Sequence, residues 1–179
     1  MTSTAPTQSP TASNSSTTTQ IYRIFIKATP QAIWNAITTP EWTKRFGYGL
    51  EDEFELRPGG KYRGRANEGM KAMGMSGVIV DGEIIESDPP KKLVMTWRMA
   101  VDPSMAAEGF TKLTYEIDEG KGGVTRLSVI HDLTDKPGHA AMVAGVLQGP
   151  GAGGGWTWIL SDLKSLLESG NQMTDLKGW

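Results

Sequence analysis

One segment constrains the fold of this chain more than any other. Trp156, Ile159, Leu160, Leu163, Leu166 and Leu167 recur at the i, i+3, i+4, i+7 spacing of an amphipathic helix, and Gly170 ends it. This is the only long helical pattern in the sequence, and its apolar stripe needs a surface to cover. What precedes it is a succession of short segments of alternating polarity, so that surface must be a sheet.

Ile21 to Ala28 is rich in β-branched and aromatic residues and ends at Thr29-Pro30, where threonine suits a helix cap and proline its first turn. Ile33, Trp34 and Ile37 mark one face of that short helix, and Thr39-Pro40 repeats the cap signal for a second one carrying Trp42 and Phe46. Further strands are predicted over Ser76 to Glu86, Lys92 to Met99, Thr111 to Ile117 and Val124 to His131, divided by Asp88-Pro89-Pro90 and the turn Asp118 to Gly123. Alternation assigns their faces. Leu93, Met95, Trp97 and Met99 share one face, as do Thr111, Leu113, Tyr115 and Ile117, and Leu127, Val129 and His131; Lys112, Glu116 and Arg126 face away.

A hairpin around Pro58-Gly59-Gly60 joins the helices to these strands. A three-residue loop there pairs Leu56 with Tyr62 and Phe54 with Gly64, and sets Glu55 opposite Arg63 and Glu53 opposite Arg65. Lys61, Arg63 and Arg65 could pass for a stripe for nucleic acid, but each of the two arginines meets a carboxylate on the outer face, so cross-strand pairing is the expected reading. The expected architecture is α+β: a seven-stranded curved antiparallel sheet, two short helices, and a long C-terminal helix. One helix against so wide a sheet leaves a gap between them.

Composition narrows the partners. Lys plus Arg total 18 against 20 Asp plus Glu, a net charge of −2, too balanced for a dedicated phosphate-backbone binder. There is no cysteine, which excludes a disulfide framework, a thiolate metal site and a cysteine nucleophile, and is compatible with a reducing, cytoplasmic setting. No run approaches the ~18 apolar residues of a membrane span. Met1 to Thr19 holds 12 Ser or Thr and no charged residue, and is expected to be a disordered tail without the basic start or apolar stretch of a secretory signal. Residues 20–170 then form the domain and 171–179 a second tail.

Gly149 to Gly154 formally satisfies G-x-G-x-x-G, but it follows Ala140 to Leu147, which reads as helical rather than as a strand, so it is expected to be a hinge or a gate and not a nucleotide site. His131, Asp132, Asp135 and His139 have metal-ligand chemistry without convincing spacing: Asp132 points opposite to His131 if the strand continues, and Asp135 to Gly138 reads as a turn. No metal and no cofactor is expected. His131 turns inward beside Met99 and Thr111, either as a core histidine satisfied by its neighbours or as a group that meets a ligand or acts as acid or base. No G-x-S-x-G and no nucleophile with a recognisable base occurs, and Glu51, Glu53 and Glu55 read as surface. Catalysis has no positive signal.

Ala28-Thr29-Pro30 with Ile33-Trp34, Thr39-Pro40-Glu41, Arg57-Pro58-Gly59-Gly60-Lys61-Tyr62, Asp88-Pro89-Pro90-Lys91-Lys92-Leu93 with Thr96-Trp97, and Gly155-Trp156 with Leu160 and Leu163 carry a family resemblance. From about Gln20 to Gly170 the chain resembles the helix-grip fold of the SRPBCC superfamily, which includes START lipid-transfer domains, the birch pollen allergen and polyketide cyclases. It is most similar to the bacterial branch named for activators of the heat-shock protein 90 ATPase. The resemblance implies a hydrophobic cavity between sheet and last helix. The side chains expected to line it are Trp42, Phe46, Tyr62, Met75, Met95, Trp97, Met99, Tyr115, Val129, His131, Met142, Trp156 and Leu160, with methionines such as Met70 and Met73 adding adaptable bulk.

The leading expectation is a non-enzymatic protein that takes a small hydrophobic molecule under the C-terminal helix, with His131 and Tyr115 fixing its orientation. A cyclase- or hydrolase-like enzyme using His131 as general base is the first alternative. Docking on a chaperone ATPase is the second.

Overall fold

The computed structural model describes residues 18–147 and 154–173. Most of the N-terminal tail (1–17), the centre of the Gly-rich hinge or gate (148–153) and residues 174–179 lie outside the described residues. The elements run β1 (Thr19–Ile26), α1 (Pro30–Thr38), α2 (Pro40–Thr43), β2 (Glu51–Phe54), β3 (Lys61–Arg65), α3 (Glu68–Ala72), β4 (Val78–Asp88), β5 (Lys92–Met99), α4 (Pro103–Glu108), β6 (Thr111–Glu119), β7 (Thr125–Asp132), α5 (Pro137–Val143) and α6 (Gly155–Ser169). Among the described residues no helix is long and apolar enough to cross a membrane.

The seven strands form one antiparallel sheet in the order β1-β7-β6-β5-β4-β3-β2. β1 and β2 are its two edges, so α1 and α2 carry the chain from one side to the other. A simple meander from β2 to β7 then brings it back beside β1, as expected for the helix-grip fold. β1 starts earlier than the sequence suggests, because Thr19 already pairs with Asp132. Its cooperation with β7 extends to the N–H of Leu133, which donates to Thr18 O at 2.8 Å.

Alternation sorts the faces as expected. Leu93, Met95, Trp97, Leu113, Ile117, Leu127, Val129 and His131 are buried. Thr29 caps α1 by accepting from the N–H of Ala32 at 3.2 Å, with Pro30 in the first turn. Thr39 departs from the expected role: its hydroxyl donates back to Asn35 O at 2.9 Å and does not cap α2. Three additional short helices, α3 to α5, lack an apolar period. Their visible sequence signals are the caps Asn67 and Asp102 and the prolines Pro103 and Pro137. Pro137 opens α5, so the segment read as a turn at Asp135 to Gly138 continues into a helix.

The hairpin register needs a correction. Phe54 pairs with Tyr62, Glu53 with Arg63, Asp52 with Gly64 and Glu51 with Arg65, two residues from the expected pairing. The loop is longer than three residues because Arg57 and Gly60 close tight turns within it, and Gly59 N–H donates to Ile84 O at 2.8 Å, tying the tip to β4. A β-carbon on Gly60 would lie 2.0 Å from Glu55 O, so only glycine fits that turn. A two-residue shift preserves parity, so the inward and outward faces are unchanged. The Arg65–Glu53 ion pair still forms, at 2.8 Å, as a diagonal contact, and Leu56 is left 38% exposed.

Helix α6 buries Trp156, Leu160, Leu163 and Leu166 and ends at Gly170, whose left-handed φ of 77° and N–H bond to Leu166 O close the last turn. Asp162 is fully buried in that stripe. Its carboxylate accepts from the N–H of Gly47 at 2.9 Å and from the N–H of Met173. One carboxylate thus fastens α6 to the loop between α2 and β2 and to the chain that follows the helix.

Candidate functional site

Between α6 and the sheet lies a cavity of about 320 Å³. Every layer contributes to it: Ile37 from α1, Phe46, Gly47, Tyr48 and Leu50 from the loop after α2, Asp52 and Phe54 from β2, Tyr62 from β3, Ile79 and Val80 from β4, Trp97 and Met99 from β5, Tyr115 from β6, Met142 and Val143 from α5, and Trp156, Ile159, Leu160 and Leu163 from α6. Phe46, Tyr62, Met75, Trp97, Met99, Tyr115, Met142, Trp156 and Leu160, all expected there, line it, and so does Met70. Met73 is instead more than half exposed, because it closes α3 at the surface.

Trp42, Met95, Val129 and His131 do not line the cavity. Trp42 is partly buried beside the core, with the Arg45 guanidinium stacked over its ring at 4.7 Å. Met95 and Val129 occupy inward positions of central strands and are packed into the core. His131 is fully buried, and each ring nitrogen has a fixed partner. The Thr111 hydroxyl donates to Trp97 O at 2.8 Å, so it accepts from His131 Nε2–H at 2.7 Å, which leaves Nδ1 to accept from the Trp156 indole N–H at 3.2 Å. That arrangement holds one neutral tautomer. Burial, with a smaller contribution from His139, lowers the His131 pKa to about 3.

His139 is also fully buried, with Nδ1 2.6 Å from Glu108 Oε2 and Nε2 accepting from the Met99 N–H at 3.1 Å. Glu108 additionally accepts from the N–H groups of Gly138 and His139, so it joins α4 to α5. Trp97 lies edge-on to both imidazoles, at 5.4 Å from His131 and 5.8 Å from His139. Among the described residues no three His, Asp or Glu side chains come together as a metal ion would require.

Asp52 is the ionisable cavity residue absent from the sequence-based expectation. Glu51 and Glu53 point outward, and the same alternation turns Asp52 and Phe54 inward. The Tyr62 phenol donates to Asp52 Oδ1 at 3.2 Å, and the Asp52 N–H donates to Thr43 Oγ1 at 3.1 Å. Burial raises the carboxyl pKa to about 7, against the opposing effect of the Tyr62 hydrogen bond. Tyr62 is itself pushed well above its ordinary range by burial and by Asp52. Tyr48 meets the start of α6, accepting from the N–H of Gly155 at 2.9 Å. Phe46 is expected in the cavity, but no periodicity marks Gly47, Tyr48 and Leu50, whose part in it is visible only once the chain is folded.

A sheet closed by one long helix over an apolar cavity defines a helix-grip protein. The sequence profile of the family described as "Activator of Hsp90 ATPase homolog 1-like protein" matches residues 27–168, and the chain belongs to that family. Comparison with curated proteins gives no match. Among solved structures, a protein from Mesorhizobium loti is 21% identical, with 84% of this chain and 96% of that one covered at a TM-score of 0.61. The Aha1 dimer of Colwellia psychrerythraea is 21% identical (86% and 98% covered, TM-score 0.57), and an HSP90 activator from Plasmodium falciparum 20% identical (87% and 90% covered, TM-score 0.51). At these identities the likeness is one of fold.

Proposed function

We propose that this protein binds a small, mainly apolar molecule in the cavity under α6. The observation that supports this reading is the cavity itself. Protein interiors are close-packed, with few voids larger than a water molecule, whereas here a cavity of about 320 Å³ is lined by aromatic, methionine and aliphatic side chains from every layer of the fold. A ligand that buries about 300 Å² of apolar surface gains roughly 7 kcal/mol before the cost of association. Met70, Met75, Met99 and Met142 give the cavity side chains that re-pack around different shapes.

His131 offers no support for an enzyme. Its one unprotonated nitrogen already holds the Trp156 indole, and its low pKa suits a structural imidazole rather than a base working near neutrality. Tyr115, which does line the cavity, remains available as a polar contact. The test is intrinsic fluorescence together with thermal shift against fatty acids, sterols, flavonoids and aromatic polyketides. Saturable quenching of Trp97 and Trp156 with a rise in Tm is expected for members that bind, and a flat response across the panel removes this reading.

A second reading, docking on a chaperone ATPase, follows from the family's description and from the fold of the Plasmodium activator. It requires a change in Hsp90 ATPase rate when the two proteins are mixed. An unchanged rate over a wide concentration range removes it.

A further inference from the structure

Among the described residues that line the cavity, Asp52 is the only one with a carboxyl group, and none carries a lysine, arginine or histidine side chain. The site for this carboxyl is shaped by the chain opposite it. Gly64 faces Asp52 across the β2–β3 ladder, and a β-carbon on Gly64 would lie 2.6 Å from Asp52 Oδ1 and 2.5 Å from Val80 Cγ2. The missing side chain makes the room in which the carboxyl sits.

Tyr62 holds Oδ1 through its phenol O–H. The second oxygen, Oδ2, has no hydrogen-bond partner among the described residues. Around this oriented acceptor stand the rings of Phe54, Tyr62 and Tyr115, with Phe54 and Tyr62 stacked at 4.7 Å. Aromatic faces and a carboxylate are the two surroundings that stabilise an organic cation away from water.

We propose that the ligand of this cavity is an apolar organic cation, an aromatic or aliphatic amine whose ammonium donates to Asp52 while the aromatic walls enclose its body. The proposal rests on the reading of the cavity as a ligand site and adds the ligand's charge. A carboxylate or phosphate head would meet Asp52 with no cationic side chain beside it, so anionic amphiphiles are selected against. A neutral molecule would leave the ionised carboxyl short of a counter-charge in an apolar setting, whereas an ammonium supplies both the charge and the missing hydrogen bond.

Binding of the cation is coupled to loss of the Asp52 proton. The titratable groups facing Asp52 are Tyr62 from β3 and Tyr115 from β6, both held above the ordinary phenol range by burial, so neither changes charge near neutrality. Asp52 itself ionises at about pH 7. The amine's affinity therefore rises as pH increases through that value, and a neutral ligand's does not.

The test uses three probes of nearly one shape: 1-naphthylmethylamine, 1-naphthylmethanol and 1-naphthoic acid, titrated calorimetrically into the full chain at pH 8 and pH 5.5. The amine should bind about ten-fold tighter than the alcohol at pH 8, and the acid weakest of the three. That preference should shrink several-fold at pH 5.5 in the unaltered protein, and vanish at pH 8 in Asp52→Asn. Equal binding of amine and alcohol at pH 8, or a preference that survives Asp52→Asn, overturns the proposal and leaves the cavity reading standing. Binding of none of the three overturns the proposal as well, and the cavity reading falls with it only if the wider panel of apolar ligands is flat too.

Discussion

The indole N–H of Trp156 donates to Nδ1 of His131 at 3.2 Å, joining the first turn of α6 to the last strand of the sheet inside the core. His131 therefore belongs to the frame of the cavity. Replacing it with alanine leaves the Trp156 N–H without its acceptor and opens a void, and should cost about 2–4 kcal/mol of stability in a denaturant titration. The ring should also stay neutral well into acid. Its pKa is about 3 in the fold against 6.5 for the free group, so between those values the unfolded chain binds the extra proton and stability falls as pH falls. Nitrogen-15 shifts of the imidazole that show a single neutral tautomer down to pH 4.5 would agree; titration near pH 6.5 would not.

Asp52 predicts the opposite slope. Its pKa is about 7 in the fold and 3.8 when free, so the folded state holds the extra proton in that window and stability drops as pH rises through it. Asp52→Asn keeps the shape without the charge. It should equal the unaltered protein near pH 4 and exceed it by about 1–3 kcal/mol above pH 8. Comparing the two proteins at each pH cancels the contribution of His131, which both share. Identical stability at pH 8 would show that the carboxyl is not held in an apolar setting.

Asp162 fastens α6 through the N–H groups of Gly47 and Met173. Asp162→Ala orphans both donors and should cost about 2–4 kcal/mol. Amide hydrogen exchange at Gly47 should accelerate by the same factor as its neighbours only if the whole fold loosens. Faster exchange confined to the Gly47 loop would show that the carboxylate acts locally, as its contacts suggest.

The helix pattern from Trp156 to Leu167, the alternation of the central strands and the cap at Thr29 made the architecture legible, because each is a periodic or stereochemical signal carried by neighbouring residues. The inward faces of Trp97, Met99 and Tyr115 come from parity alone, while the cavity they line was implied by the family resemblance. The hairpin register did not, because it depends on a bond from Gly59 to Ile84, far along the chain. Nor did the place of His131: parity turned it inward, but only the contact with Trp156 shows that its nitrogens are occupied. Asp52 was within reach of the same parity that put Glu51 and Glu53 outside. The polar residue inside an apolar stripe, Asp162, has a partner 115 positions away that no local pattern discloses.

Gly155 begins α6 with a φ of 64°, and a β-carbon there would lie 2.2 Å from Val143 O. Gly122 has a similar φ of 69° in a turn with nothing within 4 Å. Gly155→Ala should therefore lose well over the ~1 kcal/mol expected of Gly122→Ala, whose penalty is backbone strain alone. Equal losses in thermal denaturation would mean that the start of α6 shifts freely away from α5.

The most direct test of the central claim is a methyl NMR titration of the protein labelled at methionine methyl groups, with 1-naphthylmethylamine as ligand. Met70, Met75, Met99 and Met142 line the cavity, Met95 is buried elsewhere in the core, and Met73 and Met173 are exposed. Saturable shifts of the four cavity methyls, with Met73 and Met173 unmoved, are the predicted result. Shifts confined to Met73 or Met173, or no shifts at any methionine at saturating ligand, would contradict it.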